Sequence, residues 1–582
     1  VTVTTARQLF ERGVLSALDF ELAETLLELA GERSELCALG VAFASWAVSR
    51  GHVCVELASL GERRFEDADG ELITDVVLPE VDAWVAALEA SALTREGPLV
   101  LAPGGRLYLA RYHDYERELG RALLERSRVI HDDLDPKRVK QRLDELFPKS
   151  DDQRRAGVVA ALRGLSVISG GPGTGKTYTV AKVLALLKAE RDLRVTLLAP
   201  TGKAAQRLTE TIQRDFPDLS AATIHRALGY QRHTPTKFRH GRDNPLPADV
   251  VIVDEASMVD LALMAKLVEA VRPGARLILL GDKDQLASVE AGAILGDIYS
   301  GNPDDGYSEE MAAAAAKLTG EVLPVSLARP EPGMHDAMVH LTEVHRFAGG
   351  GAIAALARAV NAGDPSAAFD ALAQGPDATL VELAPDADLD AALGPLALDR
   401  FRGLGNASTE EKLRLLSGFR FLCAHREGPL GVHGLNERVA ALLTEAGELD
   451  ARGEWYDGRP LLVTANDYAL DLFNGDVGVI HQGRAFFHSG SGIRELPPGQ
   501  LPAHETVFAM SVHKSQGSEL DEVALILPER VSPILTRELV YTAITRAKKR
   551  VKIFGSREVL ARAIEARVQR ASGLSAMLWQ RH

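Results

Sequence analysis

Gly170-Gly171-Pro172-Gly173-Thr174-Gly175-Lys176-Thr177 fits G-x-x-x-x-G-K-[ST], a loop whose backbone N–H groups cradle nucleotide phosphates. Its flanks suit that chemistry. Leu165–Ser169 reads as a short buried strand, and Tyr178 through Glu190 as an amphipathic helix with Val180, Val183, Leu184, Leu186 and Leu187 apolar. Strand, glycine loop and helix in that order place phosphates at a helix N-terminus, where unpaired N–H groups and the helix dipole favour anions. Lys176 is then expected at the β/γ-phosphates and Thr177 at Mg²⁺. The chain is expected to bind a nucleoside triphosphate.

Asp254-Glu255 closes the apolar run Val250-Val251-Ile252-Val253. Acid pairs are common at strand ends, but this one lies 78 residues beyond Lys176. That order suits Asp254 holding Mg²⁺ through water and Glu255 polarising the attacking water, so hydrolysis is expected rather than binding alone. Gly281-Asp282-Lys283-Asp284-Gln285-Leu286 ends the next apolar run, either as a plain Gly-Asp turn or with Gln285 bonded to the γ-phosphate or the attacking water. Ala199-Pro200-Thr201-Gly202-Lys203 follows another such run. Its hydroxyl, ammonium and amides suit a phosphodiester; the plainer alternative is a solvated lysine.

These groups need a scaffold that brings strand ends together. From the phosphate loop to about residue 300, short apolar runs (Arg194–Ala199, Val250–Val253, Arg276–Leu280) alternate with helical patterns, which predicts a parallel sheet. Ligands bind such sheets beyond the strand C-termini. Residues 301–340, with the alanine run 312–316, read as an insertion or irregular lid. A second alternating region takes in Phe419–Ala424, Val507–Val512, Val523–Leu527 and Val551–Phe554. Between them, Trp455, Tyr456, Leu461–Val463 and the Asn474-Gly475 turn predict short antiparallel strands, read as a small inserted barrel. Residues 1 to about 115 carry helical periodicity (Leu15–Leu29, Cys37–Ser49) without a chemical motif, and a charged helix follows at Tyr115–Arg128. The reading divides the chain into 1–115, a first sheet domain at 116–345 and a second at 346–582, with the barrel at about 450–500.

At 582 residues, 46% hydrophobic and 25% charged, the composition is that of a globular protein of several domains. No apolar run reaches membrane-span length, and the first residues lack an export-signal pattern. Cys37, Cys54 and Cys423 have no C-x-x-C spacing, so three buried thiols in a reducing cytoplasm are expected. The net charge of −15 argues mildly against a protein coated in nucleic acid, without excluding a narrow basic groove.

The order of motifs carries a resemblance. The phosphate loop, P-T-G-K-A-A, T-I-H-R-A-L-G, D-E-A-S, G-D-K-D-Q-L and V-H-R-F resemble the first half of a superfamily 1 helicase. Phe508 through Glu519 and Tyr541-Thr542-Ala543-Ile544-Thr545-Arg546-Ala547 resemble the second half. Trp455–Pro460, Asn466-Asp467, Leu472–Gly478, Arg426–Val432, Gly51–Cys54 and Arg106–Leu109 are similar to the RecD family, subunits of RecBCD (exodeoxyribonuclease V). Stand-alone RecD-like helicases carry a much larger N-terminal extension; 169 residues precede the loop here, which favours the complex subunit.

The resemblance implies an α/β fold of two RecA-like parallel-sheet motor domains, a small helical N-terminal docking domain and an SH3-like β-barrel insertion. It implies ATP and Mg²⁺, with Gln153 at the adenine edge, Gln285 sensing the γ-phosphate, Arg346 and Arg546 reaching it from the second domain, and Glu519 at the ribose. Thr201, Lys203, His225, His513, Lys514, Ser515 and Gln516 would meet single-stranded DNA through phosphate contacts and base stacking. Lys548–Lys552 reads as a DNA contact or a solvated helix end. Movement 5′→3′, action on duplex DNA ends for recombinational repair, and a heterotrimer with RecB-like and RecC-like subunits follow from the family. No carboxylate cluster for two-metal DNA cleavage stands outside the nucleotide site, so cleavage is expected on the RecB-like partner. A stand-alone helicase, or a nucleotide-dependent switch or structural subunit, are the alternatives.

Overall fold

The computed structural model describes residues 5–61, 63–67, 71–148, 151–189, 191–231, 237–301, 306–344, 351–384, 387–467, 469–489 and 492–579. The N-terminal region is built on helices Ala17–Ala30 and Glu35–Ser49. Ser16 and Asp19 form a reciprocal capping box at the first, and Gly31 ends it in the left-handed region (φ 68°). Phe20, Phe43, Trp46 and Trp84 fill the core beneath these helices. Strands β1 (Val55–Glu56), β2 (Leu99–Ala102) and β3 (Arg106–Leu109) make a three-stranded antiparallel sheet, order β1-β3-β2. The charged helix spans Ala110–Arg128, starting five residues earlier than its charge pattern suggests.

The first large sheet has six parallel strands: β4 (Leu165–Gly170), β5 (Val195–Ala199), β6 (Ala221–Thr223), β7 (Val250–Val253), β8 (Arg276–Gly281) and β9 (Met338–Leu341), in the order β6-β5-β7-β8-β4-β9. β4, β7 and β8 are buried at every residue, because helices cover both faces of the sheet. The helix after the phosphate loop begins at Lys176, two residues before the predicted start. Residues 301–340 are not an irregular lid. Glu309–Thr319 is a helix capped by Ser308, and Met338–Leu341 joins the sheet as β9, parallel to β4. A fully buried Arg163–Asp336 ion pair (2.8 Å) fixes the turn before β9.

The second large sheet is also parallel: β10 (Ala378–Glu382), β11 (Phe419–Cys423), β17 (Ala509–Ser511), β18 (Leu520–Ile526) and β19 (Ala547–Gly555), in the order β10-β19-β18-β11-β17. Edge strand β10 escapes the sequence reading because its run is short and only half-buried. Lys548–Lys552 is not a helix end. It lies in β19, where Lys549 pairs with Asp521 (2.9 Å) and Arg550 with Glu522 (3.3 Å). Between β11 and β17, strands β12 (Pro460–Val463), β13 (Val477–His481), β14 (Arg484–Ser489), β15 (Gly492–Leu496) and β16 (His504–Thr506) form an antiparallel sheet, order β15-β14-β13-β12-β16.

After helix Arg557–Glu565 the backbone leaves the second sheet, and helix Leu574–Trp579 packs against helices Ala110–Arg128 and Ile294–Tyr299. Cys37, Cys54 and Cys423 are buried and unpaired. Among the described residues, no helix is long and apolar enough to cross a membrane.

Candidate functional site: a nucleotide cleft between two parallel sheets

β4 delivers the phosphate loop. Gly173 (φ 84°) and Gly175 (φ 79°) take the left-handed region that lets the loop curl into the helix at Lys176. A Cβ on Gly170 would stand 2.6 Å from Thr174 Oγ1, so only glycine fits there. Lys176 Nζ donates to the carbonyls of Gly170 (2.6 Å) and Gly171 (3.3 Å), which holds the ammonium over the loop. Gln153, buried, donates from Nε2 to Thr174 O (3.4 Å) and so touches the loop itself.

Across the loop, Thr177 Oγ1 lies 3.4 Å from Asp254 Oδ2, so the two residues expected at Mg²⁺ stand together. Burial pushes the Asp254 carboxyl up to about 6, and the neighbouring Glu255 charge adds to it. A buried carboxyl with a half-buried one next to it and a hydroxyl beside it fits a hard divalent cation, which takes oxygen ligands and offsets that charge. Glu255 sits in the left-handed region (φ 53°), a strained conformation for a side chain of this size, and lines the cavity with Asp254.

β8 ends at Gly281-Asp282. Asp282 accepts from Gln285 Nε2 (2.9 Å) and from Tyr541 Oη (3.1 Å), the latter reaching over from the second sheet. Two further bonds join the sheets here: Leu286 N–H to Thr542 Oγ1 (2.9 Å) and Gln516 Nε2 to Leu286 O (2.8 Å). The segment bearing Gln285 is therefore held from both parallel sheets.

Arg546 is 4% exposed. It donates from Nε to Thr542 O (3.2 Å) and from Nη1 to Ser518 O (3.3 Å). Burial lowers its pKa, while the charges of Glu255 and Asp282 support the guanidinium. Arg546 and Glu519 share one cavity of about 390 Å³ with Lys176, Thr177, Asp254, Glu255 and Gln285. Glu519 is paired there with Arg207 (2.7 Å) and Lys548 (3.3 Å). Arg346 lies outside the described residues.

The residues expected on single-stranded DNA divide into two groups. Thr201 caps its helix by accepting from Ala204 N–H (3.2 Å), and His225 stands 6.0 Å, ring to ring, from both Tyr230 and Phe238. Lys514 pairs with Glu505 (2.7 Å). The others face inward. Lys203 Nζ donates to Ser518 Oγ (2.9 Å) and Gly475 O (3.4 Å), and burial pulls it down to about 8. Ser515 is fully buried, Gln516 is committed to Leu286, and burial lowers His513, with Arg570 adding to the effect.

Arg207, Tyr541 and Thr542 were given no role by sequence reasoning. The signal for Arg207 was its place four residues after Lys203, on the same face of the helix Gly202–Ile212.

Three family models match. Residues 11–108 match the N-terminal domain of the RecBCD enzyme subunit RecD, 153–291 an AAA domain and 506–553 a UvrD-like helicase C-terminal domain. The RecBCD enzyme subunit RecD of Mycobacterium tuberculosis is 42% identical, over 97% of this chain and 95% of its own. That of Haemophilus influenzae is 33% identical over 98% of each. The ATP-dependent RecD2 DNA helicase of Deinococcus radiodurans is 34% identical over 74% of this chain and 52% of its own. With such identity along nearly its whole length, and a RecD N-terminal domain ahead of the nucleotide cleft, the chain belongs to the RecD family.

Proposed function

We propose that this chain is an ATP-dependent DNA helicase, the 5′→3′ motor of a RecBCD-type helicase–nuclease that works on double-strand DNA ends with RecB-like and RecC-like subunits. One observation carries the reading: Lys176, Thr177, Asp254 and Glu255 from one parallel sheet share a cavity with Glu519 and Arg546 from the other. A purely structural subunit has no need of that arrangement. Polarity and partners rest on the family.

The residues divide the work. Lys176 and the loop amides would bind the β/γ-phosphates, and Gln153 would contact the adenine edge. Thr177 and Asp254 would hold Mg²⁺, which supplies charge neutralisation on the phosphates. Glu255 orients and polarises water, and Gln285 registers the γ-phosphate. Arg546, joined by Arg346, spreads transition-state charge, an effect worth about 10³–10⁵ in rate. Closure favoured by the triphosphate and relaxed after hydrolysis would alternate the grip of the two sheets on a strand. Thr201, Lys203, His225, His513, Lys514, Ser515 and Gln516 would form that grip, the inward-facing ones reaching the strand as the sheets part. Residues 1–115 would dock the partners, 116–345 and 346–582 would be the two motors, and the antiparallel sheet between β11 and β17 would be an SH3-like barrel.

The test is ATP hydrolysis by the full chain with and without single-stranded DNA. Stimulation by DNA, nearly abolished in Lys176→Gln with the fold intact, is expected. Full activity in that variant, or hydrolysis indifferent to DNA, overturns the motor reading.

A further inference from the structure

Helix Gly202–Ile212 presents two cations four residues apart, Lys203 and Arg207, and both cross the cleft to one three-residue segment of the second sheet, Gly517-Ser518-Glu519. Lys203 Nζ donates to Ser518 Oγ (2.9 Å). Arg207 Nη1 donates to Gly517 O (2.8 Å), and its Nη2 meets a carboxylate oxygen of Glu519 at 2.7 Å. The same segment holds Arg546, whose Nη1 donates to Ser518 O (3.3 Å) and whose carbonyl accepts from Leu520 N–H (2.9 Å). A planar guanidinium with acceptors on both sides of Ser518 fixes the segment's position and direction, which a single ammonium cannot do. Arg207 also lines the cavity that holds Asp254 and Glu255. Burial acts to lower its pKa, but the charges of Glu519, then Glu255 and Asp254, more than offset that and keep it protonated.

We propose that Arg207 is a positioning residue for hydrolysis: from the first sheet it sets segment 517–519 so that Glu519 and Arg546 stand in register with Lys176 and Asp254. Its helix starts at Thr201-Gly202-Lys203, the loop expected to meet the DNA strand. A shift of that loop therefore moves Arg207 and, through Ser518, the guanidinium of Arg546. This inference rests on reading the cavity as an ATPase site.

The experiment measures DNA-stimulated hydrolysis and equilibrium binding of a fluorescent ATP analogue in the full chain. The proteins are wild type, Arg207→Ala, Arg207→Lys, Glu519→Gln and the double variant Arg207→Ala/Glu519→Gln, each checked for folding by circular dichroism. In Arg207→Ala, kcat is expected to fall about tenfold or more, while analogue affinity stays within about threefold. Arg207→Lys recovers part of the rate, since an ammonium replaces one contact of the fork. The double variant loses no more than about twofold beyond Arg207→Ala, because both residues act through one segment. Wild-type kcat in Arg207→Ala overturns the inference. So does a loss of affinity as large as the loss of rate, which would make Arg207 a direct nucleotide contact, or losses that multiply in the double variant. A wild-type chain that binds the analogue without hydrolysing ATP overturns the ATPase reading, and this inference with it.

Discussion

Arg546 is a buried cation whose hydrogen bonds go to the carbonyls of Thr542 and Ser518, not to a carboxylate. Such bonds aim the guanidinium without neutralising it. The negative groups acting on it do so through space, Glu255 and Asp282 from across the cleft and Glu519 from its own side. Its charge thus remains available to the phosphates that the cleft is proposed to hold, where it would offset the cost of burying it. Arg546→Ala should keep ATP binding within a few-fold while hydrolysis falls by about 10³ or more. Arg546→Lys should rescue little, because an ammonium cannot span two carbonyls set at guanidinium spacing. Single-turnover hydrolysis beside equilibrium binding separates the outcomes: loss of binding in Arg546→Ala would assign the residue to holding the fold.

Gly202 shows how two elements remote in sequence are fitted together. A Cβ there would stand 2.5 Å from ring atoms of Phe473, so the helix bearing Lys203 and Arg207 sits directly on the loop ahead of β13 in the antiparallel sheet. Gly202→Ala should force these elements apart, with a stability loss of about 1–3 kcal/mol from overpacking and weaker stimulation of hydrolysis by DNA. Phe473→Ala placed in the same chain should restore both; a double variant no better than Gly202→Ala would mean that the contact does not couple the sheets. This juxtaposition was not legible in the sequence, and the reason is general to the chain. β4, β7 and β8 could be read because strands buried on both faces are continuous apolar runs, and the loop, Asp254 and Gln285 follow their ends at fixed spacing. β9 and β10 are short strands at sheet edges, β10 only half-buried, and neither gives a run long enough to be read, so residues 301–340 read in the sequence as an insertion or irregular lid. Arg207 and Tyr541 act on partners about 310 and 260 residues away, and no periodicity records such pairings.

At the scale of the whole molecule, residues 570–579 form a strap from the second motor across the N-terminal helices and the first sheet. Arg570 donates to the carbonyls of Ser288 (2.6 Å), Glu290 (2.8 Å) and Gly292 (2.8 Å), just beyond the Gln285 segment. Ala571 N–H donates to His52 Nδ1 (3.0 Å). Ser572 Oγ lies 2.7 Å from Glu116 Oε1 and 3.0 Å from Asp297 Oδ2, so one hydroxyl proton faces two carboxylates. Burial pushes Asp297 up to about 7, with the Glu116 charge adding and Ser572 and Arg570 opposing, so near neutrality Asp297 takes a proton and becomes the second donor. With the strap released, Asp297 would titrate near its ordinary 3.8, so between that pH and about 7 the docked state binds a proton that the released state does not. Docking therefore tightens as pH falls through 7. His52 sets the opposite limit. Burial, then the charges of Arg63, Arg570 and Arg50, lower it to about 4 from 6.5, so below 6.5 a released His52 takes a proton that the docked one does not, which opposes the Asp297 gain and makes docking level off. Hydrogen exchange of residues 570–579, corrected for the intrinsic pH dependence of the amides, should show protection rising as pH falls from 8.5 to about 6.5 and levelling off below that, where the two groups oppose each other. Flat protection from pH 6.5 to 8.5 would sink the assignment to Asp297. Asp297→Asn, whose amide can donate to Ser572 at every pH, should abolish the alkaline loss and unmask a loss below about pH 6.5 from His52 alone; if the strap still loosens above pH 7 in that variant, another group carries the titration.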